Sequence, residues 1–269
     1  MSIIETSVGR VGLTKAGSGN ALPILFLHGV GSDKSVWHPQ LEHFGTTRRA
    51  IAIDYPGYGE SEPNAAAARD DFARAAVATL DALGIQRAHI CGQSLGGVVA
   101  ISIHALAPAH CASLILADAF AVHPDGQAIY DRSLAASHAM SMRDLAEARA
   151  PVLLGAAADA AIRTEVIATM GAIEPAAFRL GAAAVWLADQ QTRAAAIDVP
   201  TLVLVGQEDG ITPPALSLAL AKLAGTAALN PPPVTFHTIP HAGHLANLEQ
   251  PAAFNHAIDR FLSATESGK

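Results

Sequence analysis

The stretch that decides the fold is Ala88-His89-Ile90-Cys91-Gly92-Gln93-Ser94-Leu95-Gly96-Gly97-Val98-Val99-Ala100. An apolar run carried by Ala88, Ile90 and Cys91 meets Gly92-Gln93-Ser94-Leu95-Gly96, and a helix-like run follows from Gly97 to Leu106. A strand that turns at once into a helix strains the residue at the corner. Here that residue is Ser94, and the turn lifts its Oγ clear of the sheet edge. Gly92 and Gly96 flank it because a Cβ at either place would collide where strand and helix press together. The N–H of Leu95 then falls at a helix N-terminus, where unpaired donors favour negative charge. With 22 Gly and 15 Ser in 269 residues, chance alone supplies a G-x-S-x-G about 0.1 times. The pattern occurs once, and its weight comes from what surrounds it.

Working outward, apolar runs alternate with helical spacing. Ile3–Val8 and Val11–Ala16 read as a short antiparallel pair around Gly9-Arg10. Leu22–Leu27 and Ala50–Asp54 are continuous apolar runs, the signature of strands buried on both faces. Val36, Trp37, Leu41 and Phe44 recur at helical spacing. Phe72, Ala76, Val77, Leu80 and Leu83 do the same, with Gly84 as a stop. Ser113–Ala117, Thr201–Val205 and Val234–Ile239 are further strands, and Phe254, Ile258, Phe261 and Leu262 face inward from a terminal helix. This rhythm predicts an α/β fold: a mostly parallel, eight-stranded sheet with helices on both faces. From 120 to 191 the rhythm breaks into Ala-rich helical segments interrupted by Pro124, Pro151, Gly155 and Pro175. The expectation is a core of 1–119 and 192–269 with a helical cap inserted at 120–191.

Composition narrows the function classes. Apolar residues make up 51% and charged ones 15%, which suits a large buried core. Net charge is 17 − 24 = −7, and no basic cluster interrupts it; nucleic acid and anionic membrane surfaces are not expected partners. No run reaches the roughly 20 apolar residues of a membrane span. The opening MSIIETSVGR lacks a charged segment followed by a long apolar one, so a cytoplasmic location is expected. Cys91 and Cys111 fall toward opposite ends of neighbouring strands, too far apart for a disulfide.

Ligands bind beyond the carboxyl ends of strands in open α/β sheets. Ser94, Asp209, His244, the His28-Gly29-Val30 turn and Asp54 all fall there. A serine hydroxyl needs a base to take its proton and an acid to hold that base in one tautomer. Ser94, Asp209 and His244 supply nucleophile, acid and base in the chain order Ser…Asp…His. Glu208 and Asp118 compete as the acid. His237 and His241 compete as the base, His237 being read as structural and His241 as a support behind the reacting groups. Asp54 is expected to tie down its own turn through backbone amides. The 12 His show no zinc-ligand spacing, so neither metal nor other cofactor is expected.

The chain resembles the α/β-hydrolase fold hydrolases over nearly all of its length outside the cap. HGVGSDKSVW, DYPGYGES, GQSLGG, GQEDGITPP and GHLANLEQP are similar to the 3-oxoadipate enol-lactonase and carboxylesterase branch. It departs at DYPGYGES, where Pro56 replaces the Arg expected of an enol-lactonase. The resemblance implies that the N–H groups of Val30 and Leu95 form the oxyanion hole. It implies an acyl-enzyme route for a small carboxylic ester or lactone. A C–C bond hydrolase of ring-fission products and a perhydrolase share the same triad, and a hydrolase-like ligand-binding protein is the non-enzymatic rival. His28 either contacts substrate or braces its loop; Gly29, Tyr130, Arg132 and Trp186 are further candidates to line the pocket. The resemblance places a basic residue in the cap, and Arg132 is the candidate partner for a substrate carboxylate. The chain is expected as a monomer or homodimer.

Overall fold

The computed structural model describes residues 2–267. Strands β1 (Ser2–Thr6), β2 (Gly9–Leu27), β3 (Arg48–Ile53), β4 (Ala88–Gln93), β5 (Cys111–Ala117), β6 (Thr201–Gly206) and β7 (Val234–Ile239) form one seven-stranded sheet. Its hydrogen-bonded order is β1-β2-β4-β5-β6-β7, with β3 also paired to β2. From β2 through β4, β5, β6 and β7 all pairs are parallel, whereas β1 joins β2 antiparallel. The expectation of eight strands is corrected to seven. Val11–Ala16 and Leu22–Leu27 belong to the single element β2, whose two arms run in opposite senses against β3. Both arms meet β3: Leu13 faces Ile53 and Ala16 faces Ala50, then Ile24 faces Ala50 and Leu27 faces Ile53. The chain doubles back around Gly17 (φ +75°) and grips β3 on both sides.

Helices α1 (His38–Phe44), α2 (Arg69–Ala82) and α3 (Leu95–Leu106) alternate with these strands. Every residue of α3 from Leu95 to His104 is buried, so this helix packs within the core on all sides, with its polar Ser102 and His104 bonded to Gln190 and Asp198. Between β5 and β6 lie α4 (Gly126–Ala139), α5 (Met142–Leu153), α6 (Ala160–Gly171), α7 (Pro175–Trp186) and α8 (Gln191–Ala195). A one-residue bridge pairs Val122 with Asp189 and draws the ends of this helical segment together. Helices α9 (Pro214–Leu223), α10 (Ala246–Glu249) and α11 (Pro251–Ser267) complete the chain. Cys91 and Cys111 are buried and free, and Cys91 faces Ile115 rather than Cys111. Burial pushes both thiols up, Cys111 to about 12. No described helix is long and apolar enough to cross a membrane.

Two loops brace each other at the carboxyl end of the sheet. Asp54 accepts from its own turn at Glu60 N (3.1 Å), from Lys34 N (2.9 Å), and from Lys34 Nζ (2.6 Å). Tyr55 and Tyr58 donate to the carbonyls of His28 and Val30, each at 3.2 Å. A buried phenol satisfied in this way positions rather than reacts. The turn that presents the Val30 N–H is therefore held from behind.

Candidate active site

Ser94 sits at the end of β4 with φ 55° and ψ −114°, a conformation rare for a residue with a side chain. Its N–H donates to Ala117 O at 2.9 Å. The flanking glycines are required by close approach: a Cβ on Gly92 would strike Gly96 O, and one on Gly96 would strike Leu27 O. Ser94 is 1% exposed, and its Oγ makes no hydrogen bond among the described residues.

Ser94 and His244 line one small cavity of about 20 Å³, with Gly29, Val30, Gln93, Arg149, Trp186 and Ile211 in its wall. Space for little more than one water-sized group lies beside the serine. A second cavity of about 320 Å³ shares Arg149, Trp186 and Ile211 and includes Arg132 and Gly210. Trp186 is 3% exposed, stacks on Phe120 (centroids 5.8 Å, 16° between planes) and forms part of both walls.

Two further loops bring the acid and the base. Asp209 follows β6, and its Oδ1 accepts from Ile211 N (2.8 Å) and Thr212 N (2.9 Å). Its Oδ2 lies 2.9 Å from His244 Nδ1 and accepts from the Thr212 hydroxyl at 2.6 Å. Burial alone would push the Asp209 carboxyl up; the His244 imidazole and the hydrogen bonds from His244 and Thr212 outweigh it and hold the group below its ordinary value. The competing acids are engaged elsewhere. Asp118 Oδ1 accepts from Gly206 N at 2.8 Å, and Glu208 Oε2 accepts from Ala156 N at 2.8 Å. Burial, with the Asp209 charge beside it, pushes the Asp118 carboxyl well up.

His244 is secured through its backbone. Gln93 Nε2 donates to His244 O at 2.7 Å, and His244 N donates to Leu153 O at 2.8 Å. Glu249 accepts from the residues on either side, Gly243 N (2.9 Å) and Leu245 N (3.3 Å), and from Gly155 N (2.7 Å) just past α5.

Several expected residues fall elsewhere. His28 is fully buried behind the cavity, with Nδ1 2.8 Å from Gly29 O and its ring 4.4 Å from Tyr55 and 4.9 Å from Tyr58. Burial lowers its pKa. It braces its loop and is absent from the cavity wall, so contact with substrate is corrected. Gly29 does line the cavity, against Gln93 and Ser94. Leu95 opens α3, where its N–H has no intrahelical carbonyl to meet. Tyr130 is half-buried, packs on the core and lines neither cavity. Arg132 is exposed at the outer cavity. His237 and His241 are both exposed, and neither lines the two cavities at Ser94 and Arg132.

The sequence reading missed Gln93, Thr212, Glu249 and Arg149. Arg149 carried a signal: Leu145, Arg149 and Leu153 recur every four residues on α5, so an arginine occupies a core-facing position. Burial pulls its guanidinium below the ordinary arginine value.

Comparison with known proteins agrees with this architecture. The family model described as "Alpha/beta hydrolase family" matches residues 24–257. A Variovorax paradoxus protein named "Putative carbamate hydrolase RutD" is 32% identical, over 89% of this chain and 91% of its own. The 3-oxoadipate enol-lactonase 1 of Acinetobacter baylyi is 24% identical, over 93% and 92%. A thermophilic esterase structure from Thermogutta terrifontis superposes with a TM-score of 0.87 at 26% identity, covering 98% of each chain. The chain belongs to the alpha/beta hydrolase family.

Proposed function

We propose that the protein hydrolyses a small carboxylic ester or lactone through an acyl-enzyme, with Ser94 as nucleophile, His244 as base and Asp209 as the acid that orients it. One observation carries the reading. An unpartnered, buried serine Oγ shares a cavity with a histidine whose Nδ1 is already held by a carboxylate. Ser94 Oγ attacks the carbonyl carbon while His244 Nε2 takes its proton. The oxyanion forms against the N–H groups of Val30 and Leu95; each such donor is worth about 10²–10³ in rate. His244 returns the proton to the departing alkoxide, and the C–O bond breaks. Water, giving a proton to His244, then attacks the acyl-serine; the acyl–Oγ bond breaks, His244 returns that proton to Ser94 Oγ, and the acid leaves. Residues 120–191 act as a cap that selects the substrate, and Trp186 supplies one wall. The esterase and lactonase named among the similar proteins support this class of reaction.

The test is hydrolysis of short p-nitrophenyl esters, enol-lactones and ring-fission diketones by wild type and Ser94→Ala. Turnover of esters or lactones by wild type alone is expected. Equal rates for the two proteins on every substrate would end the enzymatic reading, and selective turnover of the diketone would replace it with C–C hydrolysis.

A further inference from the structure

Gln93 ends β4 beside Ser94, and only one end of its carboxamide is bonded among the described residues. Its Nε2 donates to His244 O at 2.7 Å. That bond fixes which way round the amide sits, because the reverse would set two oxygens face to face. Gln93 is 1% exposed, and its Oε1 accepts nothing among the described residues. Other buried polar side chains are unpartnered in this sense, but only Ser94 Oγ and Gln93 Oε1 belong to residues that line the reaction cavity. A Cβ on Gly29 would strike Gln93 Oε1 and would meet Ser94 Cβ at 3.4 Å, so the oxygen and the nucleophile lie on the same side of Gly29. An acceptor left dry in such a place is unfavourable, and a methionine of similar size would pack there without that disadvantage.

The chemistry of the two half-reactions says which donor arrives. An ester or lactone brings no O–H or N–H to the reacting centre, and acylation moves a single proton from Ser94 to His244 to the leaving oxygen. Deacylation admits a water, which carries two. One passes to His244 Nε2, and the other needs an acceptor in a cavity of about 20 Å³. Ser32 also lines this wall, but a hydroxyl gives as well as receives, whereas a carboxamide oxygen only receives. We propose that Gln93 Oε1 holds the deacylating water, which makes Gln93 a catalytic residue of the second half-reaction. One O–H bond of the water breaks toward His244 Nε2 as its oxygen bonds to the acyl carbon, while the other O–H stays hydrogen-bonded to Gln93 Oε1. The acyl–Oγ bond then breaks, His244 returns its proton to Ser94 Oγ, and the acid leaves. Methanol has one O–H and satisfies His244 or Gln93, not both. The site therefore favours hydrolysis over transfer of the acyl group to an alcohol. The proposal rests on the hydrolase reading of Ser94, and the experiment separates the two.

The experiment is turnover of p-nitrophenyl acetate with and without methanol. Rapid mixing gives the acylation and deacylation constants, and product analysis gives the shares of acetic acid and methyl acetate. Wild type is expected to form acetic acid with methyl acetate as a minor product, a readout that needs no variant to fold. Gln93→Met should lower the deacylation constant about 10- to 100-fold more than the acylation constant, as befits one lost hydrogen bond to the reacting water. Acetyl-enzyme should then accumulate by intact mass, and the methyl acetate share should rise about tenfold. Gln93→Glu keeps an acceptor and loses the donor to His244 O, so the ratio of the two constants should stay within about threefold of wild type even as both fall. A role exerted through His244 alone would lower both constants together in Gln93→Met, because His244 serves both steps. That result, or methyl acetate as the main product of wild type, overturns the assignment of Gln93. Activity that survives Ser94→Ala would overturn the hydrolase reading instead.

Discussion

Asp209 Oδ2 and His244 Nδ1 lie 2.9 Å apart, joining the loop after β6 to the loop after β7. The carboxylate fixes which imidazole nitrogen carries the proton, leaving Nε2 free to accept one. Asp209→Asn places an amide N–H₂ where the acceptor stood and favours the wrong tautomer. A fall in kcat of about 10⁴ with KM little changed is expected. Asp118 gives the contrast. Burial, with the Asp209 charge beside it, pushes its carboxyl well up, and its Oδ1 accepts from Gly206 N rather than from an imidazole, so Asp118→Asn should lower kcat by less than about tenfold. Steady-state kinetics on one ester checks both; a larger loss from Asp118→Asn than from Asp209→Asn would exchange their roles.

Glu249 ties the two sides of His244 to the end of α5 with three backbone hydrogen bonds. In Glu249→Gln one oxygen is replaced by a donor that faces another donor. A loss of about 1–3 kcal/mol in stability is expected. A fall in kcat of about tenfold should accompany it as His244 drifts from the serine. Melting temperature and kcat are measured on the same preparation. A lowered melting temperature with kcat intact would make Glu249 a purely structural tie.

Arg193 on α8 pairs with both oxygens of Asp70 in the first turn of α2, at 2.7 and 2.8 Å. Its hydrogen bonds hold the Asp70 carboxyl down to about 2, against the opposing effect of burial. The folded value lies below the unfolded one near 4, so the stabilisation is complete above about pH 4. It is lost as pH falls through about 2. Asp70→Asn should therefore lower stability at neutral pH by on the order of 1–2 kcal/mol, a shift of a few degrees in Tm. The difference from wild type should vanish in strong acid. A difference independent of pH would show that the pair contributes by packing alone.

The elbow was legible because its constraints are local. Gly92 and Gly96 are demanded by atoms a few residues away or on the adjoining strand, and Ser94 follows from them. The acid and base were legible from their positions just past strand ends. Less legible was whatever depends on partners distant in the chain. Two apolar arms read as two strands, yet they form one element that turns back at Gly17 because β3 pairs with both. His28 has the chemistry of a contact residue, but Tyr55 and Tyr58 enclose it. In the helical segment, the four-residue spacing of Leu145, Arg149 and Leu153 sets Arg149 on the inward stripe of α5, a signal that Arg132 lacks. Arg149 lines both cavities, whereas Arg132, on α4, lines the outer one alone.

Intact-mass measurement after treatment with a fluorophosphonate tests the central claim most directly, because the reagent marks a serine only where a base activates it. One adduct per chain, mapped to Ser94 and absent from Ser94→Ala, is the result expected. It should form far more slowly in His244→Ala. An adduct on a different residue, or no adduct on a folded wild-type chain, would contradict the assignment of Ser94 as the nucleophile.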